Sequence, residues 1–266
     1  MSLNPRPDTA TRGSAVVDIR ELTRLDDLES ASALLGQVWD RAPDARQVTT
    51  SLLRAFTMTG HYVAGAFVGT DMVGAAVGFA ALDGRSLHSH IAGVVRSSQA
   101  RSVGYQLKQH QRRWAIDHGI DSVTWTFDPL VRRNAYFNLV KLGARATSYL
   151  ANFYGDMHDG LNNGEESDRL LVEWDVTHPQ PVPVVPDLSR ELVVLDATGR
   201  PSSRPWSGGP ALVSLPADIE AIRAADEGLA RAWRTCIRGV LSGCLADGGY
   251  VAGFDRDRGY LMDSRR

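Results

Sequence analysis

The chain reads as a mixed α/β (α+β) fold: a central mixed sheet in the first two thirds, then a smaller C-terminal α/β extension. Three observations predict it. The hydrophobic period switches repeatedly between two and about 3.6 residues over 16–176. A stretch with four prolines, Pro179, Pro181, Pro183 and Pro186, then interrupts the pattern as a stiff, extended linker. The longest helical pattern, over 217–246, comes only after it. The organisation expected is a loose, disordered leader at 1–15, a first domain at 16–177, a linker at 178–190 and an extension at 191–266 that packs on the first domain.

In order, 16–20 is a strand. Residues 25–39 form an amphipathic helix with Leu28, Ala31, Leu35 and Val38 on one side, and 46–58 a second through Val48, Leu52, Leu53 and Phe56. Residues 61–68 and 72–82 make a hairpin about Gly69-Thr70-Asp71, and Asp83-Gly84 turns the chain into a strand at 86–95. The helix at 103–118 carries Val103, Leu107, Gln111, Trp114 and His118 on one face, with Lys108, Arg112 and Asp117 off it; Gly119 closes it. A strand at 122–127, a short helix at 134–142 ended by Gly143, and strands at 146–154 and 169–176 complete the domain. In the extension, 191–195 and 211–215 are strands. The helix over 217–246 can break at Gly228, Gly239 or Gly243, and 250–254 and 259–262 form a last hairpin.

The formal net charge of −2 argues against a nucleic-acid partner. No run approaches the roughly 20 apolar residues that cross a bilayer, so no membrane partner is expected and the cytoplasm is the default. The two cysteines, Cys236 and Cys244, lie in the long helical pattern roughly 12 Å apart along the axis. That is too far for a disulfide, so they read as small buried hydrophobes. No metal is expected, since neither cysteine has the partners a site needs.

The strand ending at Val94-Val95 runs through a polar loop into the helix opened by Val103-Gly104-Tyr105. Such a helix start leaves backbone N–H groups unpaired in a field that favours anions, which makes a phosphate seat. Gln99-x-x-Ser102-x-Gly104 resembles the Gln/Arg-x-x-Gly-x-Gly/Ala signature of the GNAT acyltransferase superfamily, whose loop holds the pyrophosphate of coenzyme A. Ser102 stands where the family has glycine. The order of elements over 16–176 is also that of the GNAT fold. A later run, Trp125 to Leu130, Arg133 to Asn138 and Lys141-Leu142-Gly143-Ala144, is similar to the second half of that fold. Two further departures are Ala144 in place of an aromatic residue and Leu139 where the family often has the tyrosine that protonates the leaving thiolate. The resemblance is closest to a long, uncharacterised branch with a C-terminal extension, some relatives of which acylate amino acids.

The resemblance implies an acyl-CoA co-substrate, acetyl-CoA or another. Ile91, Gly93, Val94 and Val95 would track its pantetheine arm, with the oxyanion donor an N–H of Val94 or a neighbour. Gln99, Arg101, Ser102, Val103, Gly104 and Tyr105 would hold the pyrophosphate, with Arg96 and Arg132 as further cations. Asn134 and Asn138, four apart on one helix face, would hold pantetheine amides; N-capping is the other reading of Asn134.

His88 and His90, two apart, point to one face of their strand. His90 is the candidate general base, directly or through water, because an imidazole suits proton removal near neutrality; a pair of surface or satisfied core histidines is the alternative. Tyr154 is the candidate acid, with Tyr136 a second option. The polar run from Asp159 to Arg169 is either a solvated loop or the selector of a charged acceptor.

The expected reaction is direct transfer of an acetyl or other short acyl group, succinyl among them, to a primary amine such as an amino acid. The competing readings are a non-catalytic CoA-binding regulatory protein, favoured by Ser102 and Leu139, and a partner module whose C-terminal helix forms a homodimer face.

Overall fold

A computed structural model describes residues 16–39, 46–155, 166–178 and 190–264. The leader and nearly all of the proline-rich linker lie outside these residues. The first unit runs β1 (Val17–Glu21), α1 (Leu25–Val38), α2 (Thr50–Met58), β2 (Tyr62–Val68), β3 (Asp71–Ala80), β4 (Ser86–Val94), a 3-10 turn (Arg96–Arg101), α3 (Val103–Asp117) and β5 (Ser122–Phe127). It continues through α4 (Arg132–Ala135), a π-helical turn (Tyr136–Lys141), β6 (Arg145–Leu150) and β7 (Arg169–Asp175). Seven strands form one sheet in the order β1-β2-β3-β4-β5-β7-β6. All neighbours pair antiparallel except β4 and β5, which are parallel because α3 carries the chain across the sheet between them.

The sheet is covered on both faces. Leu28, Leu35 and Leu53 of α1 and α2 pack against Val63, Phe67, Ala75, Val77 and Ile91 on one face. Val103, Leu107 and Trp114 of α3 pack against Tyr62, Ala64, Ala76 and Leu87 on the other. Two strand glycines let the helices come close. A Cβ at Gly93 would stand 3.2 Å from Leu35 and Val38 of α1, and one at Gly74 would stand 3.1 Å from Leu107 of α3.

The extension contains β8 (Val193–Leu195), β9 (Pro201–Ser203), β10 (Ala211–Ser214), α5 (Ile219–Ala225), α6 (Glu227–Ala246), β11 (Gly249–Asp255) and β12 (Gly259–Ser264). A three-stranded sheet, β10-β12-β11, and the β8-β9 ribbon pack with α6. Trp233, Ile237, Val240 and Leu241 of α6 join the same apolar cluster as Val123, Trp125 and Leu170 of the main sheet. The apolar stripe of the long helix is therefore buried within its own chain.

Several boundaries differ from the sequence reading. The helix expected over 46–58 starts at Thr50, because the Thr49 hydroxyl accepts the Leu52 N–H (3.3 Å) and ends the pattern there. The helix expected over 217–246 breaks at Asp226 and at none of its glycines. Asp226 is extended (φ −149°, ψ 94°) and caps α6 by accepting the Leu229 N–H at 2.9 Å. The strand expected over 146–154 ends at Leu150, and 151–154 is a turn with Asn152 left-handed at φ 42°.

Candidate functional site

The sheet opens between its two parallel strands. β4 and β5 pair only at Ser86–Ser122, Leu87–Val123 and His88–Thr124. Beyond that, β4 stays with β3 as far as Val94, and β5 stays with β7 as far as Phe127. A bulge helps β4 turn away: Ser89 opposes Gly78 and Ile91 opposes Val77, leaving His90 as the extra residue. The Val95 N–H donates to Val73 O (3.0 Å) on β3. Alternation then turns the main-chain groups of Gly93 and Ile91 toward β3 and those of Ala92 and Val94 into the gap. This corrects part of the sequence expectation. Val94 faces the gap with Ala92, whereas Ile91 and Gly93 spend their main-chain groups on the sheet and their side positions on α1.

β4 leads directly to the phosphate seat. The expected polar loop is a 3-10 turn, closed by Ser102 in the left-handed region (φ 58°, ψ 24°) at the start of α3. A side chain in that region costs roughly 1–2 kcal/mol, which is the physical reason a glycine suits the position. The Gln106 N–H is used by Ser102 O (3.0 Å), and the Ser102 side chain does not cap the helix. The N–H groups of Val103, Gly104 and Tyr105, in the first turn, have no partner within the helix. Val103 is wholly buried, main chain included, so Gly104 and the exposed Tyr105 are the residues of this turn that reach the surface. A Cβ at Gly104 would meet nothing nearer than Val94 Cγ2 at 3.9 Å. The fold itself does not require glycine there, and the open space fits the close approach of a diphosphate. The side chains of Gln99 and Arg101 lie outside the described residues.

The face that carries α1 and α2 holds a row of polar groups beside the gap. His88 and His90 share it, as expected, with ring centroids 6.3 Å apart and both against Phe79 at 5.1 and 5.9 Å. On β5, Thr124 Oγ1 lies 3.4 Å from His88 Nδ1, its partner at the end of the ladder, and Thr126 Oγ1 lies 3.2 Å from the Tyr154 hydroxyl. Partial burial lowers the pKa of His90, and burial, His90 and Lys108 lower that of His88. Tyr154 does not end a strand. It stands in the 151–154 turn, 45% exposed, with the Arg169 guanidinium 5.5 Å over its ring.

The α3 face of the same gap holds a group that helical periodicity had placed off the buried face. Lys108 is buried, and its Nζ donates to Ser89 Oγ (2.8 Å) and Gln111 Oε1 (3.0 Å) while standing 3.8 Å over the Trp125 ring. Burial pushes its pKa down to about 7. Trp125 Nε1 donates in turn to Asn138 Oδ1 (3.1 Å). Asn138 is thus a buried partner of the sheet with its carbonyl already committed. Asn134 is not an N-cap, because α4 begins two residues before it and Val131 precedes the helix. Leu139 is buried in the core.

Two other expectations are redirected by the extension. Arg132 reaches away from the phosphate seat, donating to Asp257 O (2.5 Å) and to Leu215 O. At the end of the polar run, Asp168 is fully buried and accepts from the Tyr149 hydroxyl (2.5 Å), the Asn152 N–H (2.9 Å) and Arg238 Nε (2.9 Å) and Nη2 (2.6 Å). The rest of that run, Asp159 to Glu165, lies outside the described residues. Cys236 and Cys244 are free thiols, and burial pushes the pKa of Cys244 up to about 11. Two clefts of about 410 and 380 Å³ are lined by extension residues such as Trp233 and Trp206, away from the β4–β5 gap. Among the described residues no cluster of His, Cys, Asp and Glu could hold a metal ion, and no helix is long and apolar enough to cross a membrane.

No protein-family model matches the chain, and no curated protein matches it. Solved structures do show likenesses. A GNAT family acetyltransferase from Elizabethkingia anophelis with acetyl-CoA bound is 19% identical, with a TM-score of 0.45, over 60% of this chain and 97% of its own. The ribosomal-protein-S18-alanine N-acetyltransferase of Escherichia coli is 15% identical, TM-score 0.49, over 62% of this chain and 96% of its own. An acetyltransferase of the GNAT family from Streptococcus pneumoniae is 14% identical, TM-score 0.49, over 59% and 98%. The chemistry of the site rests on its own geometry, not on these likenesses.

Proposed function

We propose that this chain is an acyl-CoA-dependent N-acyltransferase of the GNAT kind, moving an acetyl or other short acyl group to a primary amine. One observation carries the reading: a strand whose main-chain edge at Ala92 and Val94 is unpaired among the described residues leads, through one 3-10 turn, into a helix start whose Gly104 and Tyr105 reach the surface. Such an edge takes an amide-bearing arm as an added strand, and such a helix start takes the diphosphate at the arm's end.

The thioester then lies in the gap, and the acceptor reaches it from the face of His88, His90, Thr124, Thr126 and Tyr154. His90 accepts a proton from the acceptor ammonium, directly or through water, in the neutral form that its lowered pKa favours. The freed amine attacks the carbonyl carbon, and a main-chain N–H on the free edge of β4, at the level where the thioester stops, donates to the developing oxyanion. Tyr154, the acid expected from the sequence, is held to Thr126 on the acceptor side, a position better suited to orienting the amine than to reaching the leaving sulfur. An amino acid is the acceptor class the reading starts from, with succinyl-CoA beside acetyl-CoA among the donors to try.

Gly104→Ala tests this. The added methyl has room in the protein, so the unliganded variant should melt at or slightly above the wild-type temperature. Wild type should gain about 2.7 kcal/mol at a hundredfold excess of acyl-CoA over Kd, roughly 5 °C or more in Tm. The variant should lose most of that gain. Absence of a shift in wild type with CoA, acetyl-CoA and succinyl-CoA, or an equal shift in the variant, overturns the reading. A shift with no thiol release across an amine panel favours the regulatory alternative.

A further inference from the structure

Lys108 Nζ sits at the apex of the gap. Ser89, its partner on β4, follows His88, the last β4 residue paired with β5; Trp125, the ring beneath it, follows Thr124, the partner of His88. The amine therefore bridges the two strands where their ladder stops. Among the described residues no carboxylate lies within its contacts, and the Gln111 Nε2 beside it is buried without a hydrogen-bond partner. A buried amine with only neutral partners is costly to hold, and a methionine would fill the same space without that cost.

We propose that Lys108 is the catalytic acid of the transfer, giving its proton to the thiolate sulfur as coenzyme A leaves. The inference rests on the acyl-CoA reading above. From Val94 to Ser89 the free edge of β4 spans ~17 Å at a strand's rise per residue, comparable to an extended pantetheine arm starting at the α3 terminus. The sulfur is thereby delivered to the level of Ser89, on the side of the sheet that α3 covers. The acceptor nitrogen forms the C–N bond, and the collapsing oxyanion expels the sulfur with the C–S electron pair. The sulfur takes the proton from the Lys108 ammonium. The proton lost by the attacking nitrogen passes to His90 and solvent, and Lys108 is reprotonated from solvent once product leaves.

An ammonium with a pKa of about 7 is near working pH, where a general acid is most effective. The groups that touch it are Ser89 from β4, Trp125 from β5 and Gln111 from its own helix, and none of them titrates. His88, on the other face of the sheet, feels the charge on Lys108, which helps keep its ring neutral.

The test needs no acceptor. Free CoA is titrated on wild type, Lys108→Met and Lys108→Gln by the ultraviolet absorbance of the thiolate, with desulfo-CoA as the blank. In wild type the bound thiol should titrate at least one unit below the ordinary thiol value of about 8.5. In both variants it should return to that value, while desulfo-CoA binds all three proteins within about twofold. A bound thiol that titrates normally in wild type, or a lowered value that survives both substitutions, overturns the assignment. So does a variant that merely melts lower with the thiol value unchanged, since that marks Lys108 as a staple between β4 and β5. Failure of every protein to bind either CoA compound overturns the acyl-CoA reading itself.

Discussion

Asp128→Asn perturbs the point where the extension grips the site. Asp128 follows the last residue of β5, the strand whose departure from β4 makes the gap. Its carboxylate accepts from Arg223 (2.5 Å) on α5, from both Arg234 nitrogens (3.1 and 3.0 Å) on α6 and from the Leu130 N–H (2.9 Å). All three side chains are at least nine tenths buried. Asparagine keeps the Leu130 bond but removes the charge that the two guanidiniums share. Breaking one side of a buried ionic group costs about 3–5 kcal/mol, which at roughly 2 °C per kcal/mol for a chain of this size lowers Tm by roughly 6–10 °C.

The pH dependence has a definite sign. Burial alone would raise the pKa of Asp128, but Arg234 and Arg223 outweigh it and hold the folded value well below the carboxylate range. The stabilisation is therefore complete above the unfolded value near 3.9, and it fades only as pH falls through the depressed folded value. Circular-dichroism melts of wild type and variant should keep a constant separation from pH 5 to 8. Replacing the whole cluster, Asp128→Leu with Arg223→Met and Arg234→Met, should restore most of the loss, because an apolar set of similar volume carries no desolvation cost. A single variant that melts within about 2 °C of wild type at neutral pH would refute this account of the cluster.

Arg238→Met removes the cation that holds Asp168 and, through it, the 151–154 turn that carries Tyr154. The expected result is a raised KM for the amine with little change in KM for acyl-CoA; equal changes in both would show that the turn does not serve the acceptor. His90→Gln should lower kcat and abolish the acidic limb of its pH profile. In wild type that limb should end below the ordinary histidine value near 6.5, because burial favours the neutral ring. Full turnover with an unchanged limb from pH 6 to 9 would remove His90 from the mechanism.

Much of the sheet was legible because its signals are local. Alternation in Ser122–Phe127 and the apolar stripe of α3 need only their own residues, and both ended within a residue or two of expectation. Gly69 and Gly119 occupy positive φ at the turn and helix end where their sequence context placed them. What escaped depends on distant partners. The sequence pattern extends β6 to Tyr154 because the residues that end the strand, Ser167 and Asp168, lie more than ten positions on in the chain and bind the turn from outside. β9 is three residues long and opens on Pro201, too short for any period. Lys108 lies one position beyond the stripe of Leu107 and Gln111, and a helix over a parting pair of strands buries a wider arc than a helix over a closed sheet. The break at Asp226 had a local signal, an aspartate three before Leu229, but the continuous apolar spacing across it was the stronger pattern.

The two walls of the gap are supported from different parts of the chain. The β4 wall is packed by α1 on one face and α3 on the other, all within the first unit. The β5 wall is held from the extension: Asp128 by Arg223 and Arg234, Pro129 O by the buried Tyr260 hydroxyl (2.7 Å), Arg133 by Glu220, and Asp168 by Arg238. The width between the walls is then fixed by how α5, α6 and β12 seat against the end of β5, because no ladder bonds cross the gap beyond His88 and Thr124. The extension is therefore a structural half of the site, although none of its described residues is among the groups placed in the gap. Substitutions at its buried arginines should therefore alter binding in the gap by moving one wall, while leaving the phosphate seat, built wholly on β4 and α3, as it is.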